Sequence, residues 1–359
     1  MPLNYRRVNV YTGVVIVIVC CYAAYQTFWS QQGCKRICKQ TVADATEAGP
    51  VQKGHDMYKV NPAVKDALFK TFKPLPQQVI TGVEKFVIFV GNIKSGHTMI
   101  ASLMDAHPNM VISNEYMLFH RFELLKNKMK LFNTLYESSW NESHHGKYSA
   151  FYSLSGHHYG VGIVSNFSWH GMYKNLKVIG DKCGAETVYV YQSDPSHFRK
   201  LLKQLSDTLQ IQVMAVHVIR NPYDVIATNC FPSSMTSGIN RPTEKNKFND
   251  TNCLKKIVLR VIEVEDVVMS MKNDAELSLK ILDIHNADYV KTPVETVKKI
   301  CEFLEVDCPE GYLQACKEKA YSSTSKTRRL VVWPKEMAKQ IDEAMKRFPF
   351  LQRYSYDND

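Results

Sequence analysis

The chain has 359 residues, 45% hydrophobic and 22% charged, with a net charge of +10. That balance suits a globular protein with a sizeable core and excludes an intrinsically disordered or fibrous chain. The basic surplus points to anionic ligands, yet no helix-turn-helix, zinc-finger spacing or RNA-binding aromatic motif is present, so nucleic acid is set aside.

Val10–Trp29 holds no charged residue and matches the roughly 20 residues that cross a bilayer as a helix. A cleaved signal peptide has a shorter apolar region, about 7 to 15 residues, so an uncleaved anchor is expected. Arg6 and Arg7 before the span are matched by Lys35, Arg36 and Lys39 after it, and the positive-inside rule does not orient it. The sequons at Asn141, Asn166 and Asn249 lie on the C-terminal side and favour a type II protein with a luminal domain. The expected organisation is a cytosolic tail (1–9), a transmembrane signal anchor (10–30), a polar stem with Pro50, Pro62, Pro74 and Pro76 (31–81) and a catalytic domain (82–359).

Of the ten cysteines, Cys20 and Cys21 fall inside the span, leaving eight for an oxidising lumen. Cys301, Cys308 and Cys316 are close enough for a local bridge, Cys230 and Cys253 can close a loop, and Cys34 and Cys38 can pair with each other or across a homodimer. Sequence alone does not fix the connectivity. The absence of any C-x-x-C pair argues against zinc.

From Lys85 onward strands and helices alternate, which predicts an α/β fold: a P-loop-like three-layer arrangement with a central, largely parallel sheet flanked by helices. Phe86–Val90 is a continuous apolar run, as a strand buried on both faces should be. It stops at a loop punctuated by Gly91 and Gly96, after which Met99, Ile100, Leu103 and Met104 recur at helical spacing. The backbone amides of Ser95, Gly96, His97 and Thr98 therefore stand at a helix N-terminus, where phosphate or sulfate is stabilised. The spacing also opens a Walker A loop, but His97 stands where a nucleoside-triphosphate kinase needs its lysine, and the lysine is Lys94.

Met110–Ser113 reads as a second strand, ending at Glu115 on the edge where open α/β sheets bind ligands. Phe122–Tyr136 has helical spacing. Glu137–Asn175, with His144, His145, His157, His158 and His170 among Tyr148, Tyr152, Tyr159 and Trp169, reads as an acceptor-binding or plain surface loop. Leu176–Gly180 is a further strand that reaches Asp181 and Lys182. Pro195–Leu209 is helical, and Ile211–Ile219 is an apolar strand whose His217 is expected in the core. The strand runs into Arg220-Asn-Pro-Tyr-Asp-Val-Ile-Ala-Thr228. After a polar loop, Leu254 to Met269 marks a long amphipathic helix, Ile281–Ile284 a strand, and Thr292-Pro-Val-Glu295 a capped helix start. The basic, hydroxyl-rich stretch Ser322–Arg329 precedes a terminal helix carrying Met337, Ile341 and Met345.

Lys94-Ser-Gly-x-Thr98 directly after a strand, followed by an arginine at a later strand end with a hydroxyl residue eight positions on, resembles the sulfotransferases that use 3′-phosphoadenosine 5′-phosphosulfate (PAPS). The resemblance spans roughly residues 84–354 and is to the Golgi type acting on carbohydrates. It implies that Lys94 and the amides of Ser95–Thr98 neutralise the leaving phosphate. Arg220 and Thr228 grip the 3′-phosphate, with Lys326, Thr327 and Arg328 placed beside them by analogy, since the Arg-Lys-Gly of cytosolic members is missing. It further implies that Lys182 faces the sulfonate and that Glu115 is the base, although Tyr-Met-Leu-Phe replaces the aromatic-rich continuation usual after that glutamate. A histidine of the 144–170 loop and a neutral Lys182 remain rival bases. No metal is implied. The acceptor is a free hydroxyl, foremost on a glycan, with a tyrosyl peptide or a lipid alcohol as alternatives; a kinase or an inactive glycan-binding protein are the other readings.

Overall fold

The computed structural model describes residues 72–121, 123–145, 169–232 and 242–359, which belong to one compact unit, Tyr58–Asp359. The predicted Val10–Trp29 span, most of the stem, Cys34 and Cys38, and His157 and His158 lie outside the described residues. Among the described residues no helix is long and apolar enough to cross a membrane.

Five strands, β1 (Lys85–Val90), β2 (Met110–Asn114), β3 (Val178–Lys182), β4 (Gln212–Ile219) and β5 (Lys280–His285), form one sheet in the order β2-β3-β1-β4-β5. Every pairing is parallel. The continuous apolar runs follow from that: Phe86, Ile88 and Val90 pack into one layer and Val87 and Phe89 into the other. The first layer is closed by α2 (Lys128–His145), α4 (Pro195–Leu209) and the C-terminal half of α6 (Thr251–Asn273); the second by α1 (His97–Asp105) and α7 (Pro293–Leu304). Each fully buried Phe, Leu or Ile contributes about 1.5–3 kcal/mol. A third cluster joins Ile219, α5 (Pro222–Cys230), the N-terminal half of α6 and α8 (Lys335–Arg347), fastening the C-terminal segment beside the end of β4. The remaining labelled helix, α3 (Gly184–Ser193), follows β3 directly.

The structure departs from expectation in four places. Helix α2 begins at Lys128 rather than Phe122, because Asn127 Oδ1 accepts the Lys130 N–H at 2.9 Å, and it runs on to His145 through residues expected to be loop. Its buried stripe continues as Ser139 and Ser143, and Ser139 Oγ donates to the buried Asp105 at 2.7 Å; serines on the inner face hid the helix. Helix α3 is unanticipated, since Thr187-Val-Tyr-Val-Tyr191 has strand-like composition. Thr292 precedes α7 without capping it; its hydroxyl donates back to Asp288 O at 3.2 Å, so the capping box does not form. Finally, Leu75 and Ile80, placed in the stem, are buried in the core, and the Leu75 N–H donates to Asn133 Oδ1 at 2.6 Å.

Candidate functional site

Lys94–Thr98, Glu115 and Arg220 follow the C-terminal ends of β1, β2 and β4, and Lys182 closes β3, on the edge where open parallel sheets bind ligands. Between β1 and α1 the backbone is left-handed at Gly91 (φ 118°), Lys94 (φ 66°) and Gly96 (φ 108°). A Cβ on Gly91 would also meet His217 Cδ2 at 2.8 Å, so conformation and space both demand glycine there. Alternation of this kind turns successive amides into one concavity, an anion nest. Gly96 caps α1 without any side-chain hydrogen bond, and the first helical N–H groups have no partner within a helix. Ser95 Oγ donates to Asn92 O at 2.8 Å, bracing the loop from within.

Lys94 is exposed on this loop. His97 is not: its side chain is buried, lies edge-on to Phe89 and donates from Nε2 to Val90 O at 3.0 Å. Burial first, and the Lys182 charge second, push its pKa down to about 3, leaving a neutral ring. Residue 97 therefore offers the site its backbone amide and not its imidazole, which corrects any expectation of a side-chain role.

On the other flank, Lys182 closes β3 opposite Asn114. Its Nζ donates to Glu115 Oε1 at 2.7 Å and to Thr98 Oγ1 at 3.3 Å, so one ammonium joins the first turn of α1 to the carboxylate after β2. Glu115 is itself left-handed (φ 55°), and its N–H donates to Lys182 O at 2.9 Å. Asp181 holds the turn from below by accepting Ser113 Oγ at 2.6 Å and the Tyr116 N–H at 3.0 Å. Burial pushes its pKa up to about 6, a poor setting for the magnesium carboxylate of a triphosphatase. Among the described residues no group of three or more His, Cys, Asp or Glu is placed to hold a metal ion.

Beyond β4, Arg220 reaches three segments. Its Nη1 donates to Lys94 O at 3.0 Å and Thr228 Oγ1 at 3.3 Å, and its Nη2 to Ser325 O at 3.2 Å and Thr327 Oγ1 at 3.3 Å. Thr228 and Thr327 hydroxyls meet at 3.1 Å. Arg220, Thr228 and Thr327, distant in sequence, thus form one cluster with the β1 loop at its rim. Lys326 stands exposed next to it. Arg328 does not belong to this lining. Its side chain is 0% exposed and ion-pairs with Asp224 and, at 2.9 Å, with Asp359, while its N–H donates to Asp224 Oδ1 at 2.8 Å. The ligand role expected by analogy is corrected to an internal anchor, because that charge is already enclosed and paired.

Three features escaped the sequence reading. His120 Nδ1 and the His120 N–H both bond Glu186 Oε1, at 2.7 and 3.0 Å, placing an exposed imidazole on a buried carboxylate just after Glu115. Asn221 Nδ2 donates to Ser355 O at 2.8 Å and Asn358 O at 3.0 Å, so the C-terminal residues fold over the Arg220 corner. His170, expected in an open loop, is buried 3.5 Å from Asp105 Oδ2. Two of the cysteine pairings left open are made, Cys230–Cys253 and Cys301–Cys308, while Cys183 and Cys316 carry free thiols.

A parallel sheet with a glycine-bent loop after its central strand, and basic side chains at the ends of its neighbours, makes an edge suited to anionic groups. Residues 87–310 match the sequence model of the sulfotransferase family, more than half of the chain, and the protein belongs to that family and is a sulfotransferase enzyme. No curated protein matches the chain. Similar solved structures include the sulfotransferase domain of the Synechococcus PCC 7002 olefin synthase, 14% identical over 77% of this chain and 98% of that one, TM-score 0.39. Sulfotransferase STF9 from Mycobacterium avium is 10% identical over 86% and 95%, TM-score 0.38. Mouse sulfotransferase SULT7A1 complexed with PAP is 13% identical over 75% and 87%, TM-score 0.36.

Proposed function

We propose that this sulfotransferase moves a sulfonate group from PAPS to a hydroxyl of a carbohydrate acceptor, in the Golgi lumen, from a type II anchor at Val10–Trp29. The observation that carries the site assignment is Lys182, whose single ammonium spans 2.7 Å to Glu115 and 3.3 Å to Thr98 and so ties the acceptor's base to the donor's loop.

The residues fit a bisphosphorylated donor. The α1 N-terminus is uncapped beside the exposed Lys94, and the Arg220 hydrogen bonds go to carbonyl and hydroxyl oxygens, which leave its charge for an anion. PAPS, when bound, supplies an activated sulfonate whose bond to the 5′-phosphate oxygen breaks as the acceptor oxygen bonds sulfur. Lys94 and the amides of Ser95–Thr98 hold the leaving phosphate; Arg220, Thr228 and Thr327, with Lys326 nearby, hold the 3′-phosphate. Glu115 takes the acceptor proton. Lys182 steadies the charge spread over the peripheral oxygens, the kind of electrostatic positioning that supplies most of the rate in phosphoryl transfer as well.

Luminal placement rests on the apolar span, the sequons and the two disulfides, which suit an oxidising compartment; Asn141 and Asn249 are exposed. Endoglycosidase treatment of the expressed protein should increase its gel mobility, and no shift together with cytosolic protease accessibility overturns the topology. For the acceptor, the protein from residue 58 onward is incubated with radiolabelled PAPS and a panel of glycans, tyrosyl peptides and sterols. Label on a glycan supports the reading, label on a peptide or sterol replaces the acceptor, and no transfer with retained glycan binding replaces the activity.

A further inference from the structure

We propose that His217, buried in the middle of the sheet, is a positioning residue for the donor loop, acting as a cation that holds Glu265 and, through it, Asn92. This rests on the assignment of the Gly91–Thr98 loop to the donor.

Asn92 is 4% exposed, and its Nδ2 donates to Glu265 Oε1 at 2.7 Å and to Val261 O at 3.2 Å, pinning the loop to α6. Its own carbonyl takes the Ser95 hydroxyl, so the pin reaches the anion-binding amides. The second oxygen of Glu265 faces His217 Nε2 at 3.7 Å, and neither atom has a hydrogen-bond partner. The other ring nitrogen, Nδ1, bonds Asp283 Oδ1 at 2.9 Å, and Asp283 also pairs with Lys272. The ring itself lies directly beneath Gly91, whose missing Cβ would meet it at 2.8 Å.

Two carboxylates bracketing one imidazole both face an N–H of the ring only in its doubly protonated form, which donates from each nitrogen. A neutral ring would aim a lone pair at one of them, and a buried unpaired carboxylate is costly. Of the other groups facing this cluster, the Lys272 ammonium goes to Asp283 and leaves Glu265 to the ring, His97 is neutral, its pKa lowered to about 3, and His285 on β5 is lowered to about 4. Phe350 stands edge-on to the ring. Burial alone would lower the His217 pKa, but the hydrogen bond to Asp283 and the negative charges of Glu265 and Asp283 outweigh it and raise the pKa above 6.5. Charge is therefore present below that raised value and lost as pH climbs through it, which frees Glu265 and then Asn92.

The test is calorimetry with adenosine 3′,5′-bisphosphate between pH 6 and pH 9.5, with unfolding followed separately on each protein. Wild type should weaken by about tenfold toward high pH, the size of one lost hydrogen bond. Ionisation of the ligand's own phosphate, near pH 6, strengthens binding as pH rises, so the two trends have opposite signs. Glu265→Gln keeps the bond to Asn92 but turns an amide toward a neutral ring, and its affinity should no longer fall with pH. Asn92→Ala should bind about tenfold more weakly at pH 7, and adding Glu265→Gln to it should cost nothing further. The same fall with pH in wild type and Glu265→Gln, or independent losses in the double variant, overturns the inference alone. A wild type that does not bind the nucleotide overturns the donor assignment and the inference with it.

Discussion

Nζ of Lys182 lies 2.7 Å from Oε1 of Glu115, joining a side chain that is 2% exposed to one that is 52% exposed. A buried ammonium without a partner is costly, and here its partner is a half-exposed carboxylate. The pair is also joined through the backbone, since the Glu115 N–H donates to Lys182 O. Glu115 is held at φ 55°, a conformation costing on the order of 1–3 kcal/mol for a non-glycine residue. The strain is borne by its neighbours: Lys182 grips one side, and Asp181 takes the N–H of Tyr116 on the other.

Arg220→Ala should reduce affinity for adenosine 3′,5′-bisphosphate by about 1.5–3 kcal/mol, the loss expected for charge-assisted hydrogen bonds. Thr228→Val removes one neutral contact and should cost about 0.5–1.5 kcal/mol. Calorimetry on the two variants checks the ranking. Arg220 also holds Lys94 O and Ser325 O, so its loss loosens both loops. Equal affinity in wild type and Arg220→Ala would remove this cluster from the donor site.

Arg328→Met should act on stability rather than on donor binding. Its guanidinium is fully enclosed between Asp224 and Asp359, and removing one partner of a buried ion pair costs about 3–5 kcal/mol, because the remaining charge is left uncompensated. Denaturant unfolding should record that loss, and Asp224→Asn in the same chain should recover part of it. A variant of unchanged stability that no longer binds the nucleotide would return Arg328 to the ligand site.

The strands were legible because a parallel sheet covered on both faces writes unbroken apolar runs, and Phe86–Val90 and Val213–Ile219 have no other economical reading. The places of Lys182 at the end of β3, of Arg220 just after β4 and of Thr228 on the next helix were legible because they follow from where the apolar runs stop. Arg328 was not, since a basic residue in a hydroxyl-rich stretch looks solvated until Asp224 and Asp359, 104 and 31 positions away, are seen around it. The His120–Glu186 pair was hidden likewise: a carboxylate on an unrecognised helix binds a histidine 66 positions earlier. The buried face of α2 misled by carrying serines, Ser139 donating to Asp105 and Ser143 to Trp140 O.

The hydrogen bond to Glu186 raises the His120 pKa above 6.5, against a smaller opposing effect of burial. The contact therefore contributes stability fully at pH values below 6.5, and the contribution is lost as pH rises past the raised value. Proton NMR of the imidazole should show a midpoint above 6.5 in wild type and a lower one in Glu186→Gln. An unchanged midpoint in the variant would mean that Glu186 does not hold the ring in solution.

Glu115→Gln addresses the base directly. The amide keeps the size of the side chain and an oxygen for the Lys182 ammonium, now 2.7 Å away, but it no longer accepts a proton. If Glu115 removes the acceptor proton, turnover should fall by roughly 100-fold or more, the usual contribution of a positioned general base, while affinity for adenosine 3′,5′-bisphosphate stays near wild type. Lys182→Met separates the two members of the pair: it removes the charge steadying the transferred group and should cost about 10²–10³ in turnover, leaving Glu115 free to act. The rival bases predict other patterns. Near-normal turnover in Glu115→Gln with collapse in variants of His144, His145, His157 or His158 moves the base to that segment; His170, buried against Asp105, is placed for a structural role. Loss of nucleotide binding in Glu115→Gln would instead make the carboxylate a support for Lys182 and the α1 N-terminus, because the ammonium it holds also reaches Thr98.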